Sequence, residues 1–161
     1  MRIAISFIIT VAYIFLRWKL LSKMGQPGWY SLIPGLGTYT MYAGTKRKAA
    51  AIMLICLTVL NYILAGIVIV QMFSVMLDYA SLGDDYVLYT DVLLSNLIRV
   101  GIVMIPMGIV SVVIVVMKIV LNTALARCFG KSTSFGVGLT FIPLVFQSIL
   151  AFGSAEYYPL C

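Results

Sequence analysis

Gly130, Lys131, Ser132 and Thr133 close the run CFGKST, where the residue types of this chain come nearest to chemistry. A phosphate-binding loop has the pattern G-x-x-x-x-G-K-[ST], whose backbone N–H groups cradle phosphate while the Lys reaches over it. That pattern needs glycine at position 125, where Leu125 stands, and the preceding segment is an apolar helix rather than a strand. No nucleotide site follows. A glycine ending one helix, with Lys131 beside that end and Ser132 to Ser134 opening the next, accounts for the same residues.

A chain without histidine lacks the commonest general base, but a Ser/Lys dyad needs none. Ser22-Lys23 and Lys131-Ser132 are sequence neighbours, and nothing else specifies a hydroxyl aimed at an amine. A membrane-embedded peptidase is therefore the third-ranked expectation. The stretch DYASLGDDYVLYTDVLLSN carries Asp78, Asp84, Asp85 and Asp91, which suit a hard cation, yet EF-hand spacing is missing. A solvated loop with interfacial tyrosines explains it. Cys56, Cys128 and Cys161 are three and scattered, neither a disulfide framework nor a C-x-x-C metal site. No catalytic residue, metal or cofactor is expected.

The elements that carry these residues are set by composition. Of 161 residues 63% are hydrophobic and 10% charged, against about 25% charged in a soluble domain. So short a soluble chain has too much surface to hide that much apolar area, so the expected fold class is all-α and integral to a membrane. The net charge of +6 sits at the ends of apolar runs, where membrane topology explains it; no nucleic-acid partner is expected.

Four apolar runs give four transmembrane helices in a single domain over 1–161, at about 3–22, 49–77, 97–126 and 135–153. The first resembles a signal peptide, but no small-residue cleavage site follows and Arg17, Trp18 and Lys19 come at once. Arg17, Lys19, Lys23, Lys46, Arg47 and Lys48 lie between runs one and two, and Arg127 and Lys131 between runs three and four. The acidic outer loop spans about 78–96. The positive-inside rule then gives a multi-pass protein of the plasma (inner) membrane with cytoplasmic loops at about 23–48 and 127–134 and both termini outside.

Between the first two runs lies KMGQPGWYSLIPGLGTYTMYAGTKRK. Gly25-Gln26-Pro27-Gly28 is turn chemistry, and Trp29 with its neighbouring tyrosines suits a membrane interface. Gly28, Trp29, Pro34, Gly35 and Gly37 therefore mark an interfacial or re-entrant segment at about 28–43. In the third run Gly101, Met104, Gly108, Ser111, Val115, Lys118 and Asn122 recur every three or four residues and share one face. Small residues allow close helix approach and polar ones bond across it, so this face is a candidate packing or pore surface. Lys118 either snorkels to the headgroups or is an intramembrane cation, with Asn61, Gln71 and Gln147 as candidate polar partners.

KMGQPGWYSLIPGLGTY, LTVLNYI and LARCFGKSTSFGVGLTFIPLVFQSILAFGSAEY together resemble an uncharacterised family of small bacterial multi-spanning membrane proteins, some labelled signal-peptidase-like without peptidase residues. Lys23, Gly25, Pro27, Gly28, Trp29, Ile33 and Pro34 match its first block; Asn61 matches the second. Phe129 to Ser132, Gly138, Leu139, Pro143, Phe146, Ile149, Leu150, Phe152 and Gly153 match the last. Gly35-Leu36-Gly37 departs from the family's usual I-Y-N, and residues from about 68 to 113 are extra length. The resemblance implies a fold and a membrane location and assigns no activity. WYSLIP and GLTFIP are also alike within the chain, each after a turn with Gly and Lys.

The function expected is non-enzymatic: a subunit or accessory/assembly factor of a larger membrane complex. The alternative is an oligomeric channel or transporter-like protein with a polar path along the third run. Expected partners are membrane lipids and a membrane-protein partner or a second copy of the chain.

Overall fold

The computed structural model describes residues 2–45, 47–81 and 86–158. These form α1 (Arg2–Lys23), a 3-10 turn (Gly28–Leu32), α2 (Pro34–Ala43), α3 (Lys48–Ser81), α4 (Tyr86–Cys128), α5 (Thr133–Phe141) and α6 (Pro143–Phe152), with no strand among the described residues. Among the described residues, three stretches are long and apolar enough to cross a membrane: Ile3–Lys23, Lys48–Asp78 and Val92–Cys128. Helix is the form that satisfies every backbone group inside such a segment.

The expected fourth run is not one continuous helix. Residues 133–152 form two short helices of nine and ten residues, because Pro143 lacks the N–H and ring clearance that a continuous helix needs. Ile142 is the hinge, and Pro143 opens α6 as its first-turn residue. The two limbs fold back on each other: Phe135 and Phe146 meet edge to face at 4.9 Å, and Gly138 lies under the Phe146 ring. Most of the expected outer loop is likewise helical, since α3 runs to Ser81 and α4 starts at Tyr86; Asp84 and Asp85 lie outside the described residues.

The contacts group the chain into two compact units. The second, residues 56–114, holds α3 from Cys56 on and α4 up to Ile114. Asn61 Nδ2 donates to Ser111 Oγ at 2.9 Å and to the Met107 carbonyl at 3.3 Å. Both contacts lie about twenty residues from the 82–85 connection, as an antiparallel hairpin requires. That register sets Gln71 across from Asn96, and the Gln71 Oε1 and Asn96 Nδ2 atoms are buried without partners. Pro106 sits within α4, a position tolerated in membrane helices.

The first unit, residues 1–55 and 115–161, contains most of the core. Leu20, Leu21, Leu121, Leu125 and Leu150 are fully buried, whereas the outer half of α1 from Ile3 to Ala12 is exposed. Two helix ends are built alike. Gly25 (φ 74°) follows α1 and Gly130 (φ 66°) follows α4, in the left-handed region that favours glycine. Gln26 N donates to the Leu21 carbonyl and Lys131 N to the Ala126 carbonyl, both at 2.9 Å, the six-to-one bond of a glycine-stopped helix. Ser132 then caps α5 through Phe135 N, as the sequence suggests. Cys128 is buried and disulfide-bonded, contrary to the expectation from scattered cysteines, while Cys56 is a free exposed thiol.

Candidate functional site

The polar interior of the first unit is its most unusual feature. Arg17 is on α1 six residues before Lys23, about 9 Å back along the axis from the helix end. Its guanidinium Nη2 donates to Thr38 Oγ1 at 3.2 Å and to Met41 Sδ at 3.6 Å, and its centre lies 5.6 Å from the Tyr13 ring. Arg17 Nε is buried without a partner. Hydroxyl, thioether and ring hold this cation, with no carboxylate among them. A half-buried cation on a helix long and apolar enough to cross a membrane is a functional candidate by its cost alone.

Beside it, Tyr42 Oη donates to Asn122 Oδ1 at 2.6 Å, and Asn122 Nδ2 donates to Thr140 Oγ1 at 3.0 Å. The Thr140 hydroxyl in turn donates to the Gly136 carbonyl at 3.3 Å. One buried amide on α4 thus ties α2 to α5 with both of its polar ends used, the condition for a buried polar group to stabilise rather than cost. Burial pushes the Tyr42 phenol above its usual range, with the Arg17 charge opposing, so the hydroxyl stays a donor. Close backbone approach positions the cluster: a side-chain carbon on Gly136 would overlap the Thr123 backbone, so only glycine lets α5 lie this near α4.

The expected face on α4 is divided by the structure. Asn122 joins the interior cluster and Ser111 meets Asn61, but Met104, Gly108 and Lys118 are exposed and Gly101 is half-buried. Lys118 is not brought to Asn61, which bonds Ser111 and Met107 instead. Gln147 is buried on α6 with Oε1 unpartnered, and Gln71 belongs to the second unit.

In the connector, the Trp18 indole covers Gly28, Gly37 approaches the Tyr30 carbonyl so that a side-chain carbon there would lie at 2.7 Å, and Pro34 starts α2. Trp29 is exposed and packs its edge on Tyr30 at 4.4 Å; Gly35 has only ordinary contact with Ile55. Neither dyad forms. Lys23 Nζ donates to the Leu150 and Gly153 carbonyls at 3.0 and 2.6 Å, and Ser132 is engaged as a helix cap.

Arg17, Tyr42, Thr140 and Gly136 were not legible as site residues. Arg17 ends an apolar run and so looks like a topology signal; only its six-residue distance from the turn hints at an interior position. Comparison with family models, with curated proteins and with solved structures finds no match to this chain.

Proposed function

We propose that this protein is a non-enzymatic membrane protein that works by assembly, as a subunit or accessory factor of a larger membrane complex. The observation that carries this is how little the chain covers its own spanning helices: α3 and α4 each bury 6% of their most apolar stretch, and α1 buries 11%. Gly101 and Gly108 on α4 face open space, which suits the close approach of another helix.

In the orientation we favour, the membrane is a bacterial inner membrane and the cation-rich ends face the cytoplasm. Three helices span, the 28–43 and 133–152 segments enter the membrane from the cytoplasmic side, and the N-terminus lies outside. The tail then lies inside, since Tyr158 N donates to the Cys128 carbonyl at 2.9 Å and Phe129 stacks near Tyr157. The disulfide at Cys128 argues for the opposite orientation, because such bonds persist in oxidising compartments. Eight cations at these ends, Arg17, Lys19, Lys23, Lys46, Arg47, Lys48, Arg127 and Lys131, outweigh it.

Native mass spectrometry of gently extracted protein tests the assignment, with Gly108→Leu as the variant. A stoichiometric heteromeric complex is expected, lost in the variant while membrane insertion continues. Unchanged assembly in Gly108→Leu would count against this face. A clean homo-oligomer would instead favour a channel-like protein, for which the half-buried Arg17 and Thr140 and the buried Tyr42 and Asn122 are the polar lining.

A further inference from the structure

A cleft of about 820 Å³ opens where α1 ends and α3 begins. Its polar lining includes Lys23, Gln26, Tyr30, Tyr39, Lys48 and Tyr157, and no acid is among the residues that line it. The first acidic residue in the chain is Asp78, so the α1, α2 and early α3 walls have none to offer. An uncompensated pair of ammonium groups in a cleft focuses positive potential into it.

Depth decides what such a cleft meets. A 21-residue span is about 31 Å long, the thickness of the hydrocarbon layer, so Lys23 at its end stands at headgroup level. Lys48 opens the next span and stands at the same level. The lining is also amphiphilic, with Met24, Leu36 and Ala43 among the polar groups.

The donors are held in place. Lys23 Nζ is fixed by the two carbonyls that end α6. Tyr157 Oη lies against Gly44, shielded from water and without a hydrogen-bond partner. Burial raises its phenol above the usual range, so it offers a proton at every physiological pH. An unused donor beside two cations, at headgroup depth and with apolar flanks, matches a phosphate ester carrying acyl chains.

We infer that this cleft binds the phosphate headgroup of an anionic phospholipid, with Lys23 and Lys48 as its charge partners and Tyr157 as a hydrogen-bond donor. The inference needs the membrane setting but not the assembly proposed above, and the two fail separately. The test is native mass spectrometry of the full chain released from nanodiscs of equal phosphatidylglycerol and phosphatidylcholine.

The wild type is expected to retain the anionic lipid on the order of tenfold over the zwitterionic one. Lys48→Gln should lower that retention about fivefold. Tyr157→Phe should lower it about threefold. Lys118→Gln, an exposed cation outside the cleft, should change nothing. Lys23 is left intact because it also holds α6. Equal retention of both lipids, or retention indifferent to Lys48→Gln and Tyr157→Phe, would overturn the inference. Displacement of the lipid by millimolar inorganic phosphate would also overturn it, by assigning the cleft to a soluble anion.

Discussion

Two segments of this chain begin with the same punctuation and end differently. After α1 and after α4 a glycine at positive φ stops the helix with the same six-to-one bond, and each segment later breaks at an Ile-Pro pair whose proline opens a new helix. Nine residues separate Gly25 from Pro34, and thirteen separate Gly130 from Pro143. The extra four are about one helical turn. The shorter limb is a five-residue 3-10 turn with no side-chain cap; the longer is a nine-residue α-helix capped by Ser132. One added turn changes what the limb reaches. The short one is held at the helix end by the Trp18 indole over Gly28, while the long one carries Gly136 and Thr140 to α4. Stop and break signals fix where a limb starts and turns; its length fixes its depth and partners.

The largest effect should come from Gly136→Ala. The added methyl would meet the Thr123 Cα and its amide nitrogen, and backbone gives way poorly. A loss of about 3 kcal/mol is expected. Thermal unfolding in detergent measures it, with Gly108→Ala, which faces open space, as the near-neutral companion. Equal effects of the two would mean that α5 does not lie on α4 as described.

Next comes Asn122→Leu, which strips Tyr42 and Thr140 of their shared partner and should cost about 2 kcal/mol. In a cycle with Tyr42→Phe the two changes should be strongly non-additive; simple additivity would separate the connector from α5. Smallest are Gly25→Ala and Gly130→Ala, each about 1 kcal/mol, because neither glycine has an atom within 4 Å and only backbone conformation resists the methyl. Similar values for both would sharpen the equivalence of the two turns, and a difference of several-fold would break it.

How much of this was legible depended on which physical signal carried it. Apolar length located α1 and α3 to within a few residues but placed the start of α4 about eleven residues late, and turn chemistry located Gly25, Gly130 and the Ser132 cap. The same length criterion misjudged residues 135–153, because hydropathy sums over Pro143 without registering a backbone break; the likeness of WYSLIP to GLTFIP held that information. Lys118 drew notice as a cation inside an apolar run, yet it is exposed, and Arg17 at a run's edge is the one folded inward. Asn122 was legible as polar on a shared face, but its partners Tyr42 and Thr140 come from segments 80 and 18 residues away. Periodicity speaks only within one helix.

The bonds from Lys23 to Leu150 and Gly153 join positions 127 and 130 residues apart. At about 5–20 residues synthesised per second, the end of α1 waits roughly ten seconds before its partner has been made. During that interval the inner half of α1 lacks the α6 surface it will share, and limbs of nine and ten residues are too short to enter a bilayer unaided. Closure of this unit therefore waits for α6, and a chain that stops before Leu150 leaves the Lys23 ammonium without the carbonyls that hold it.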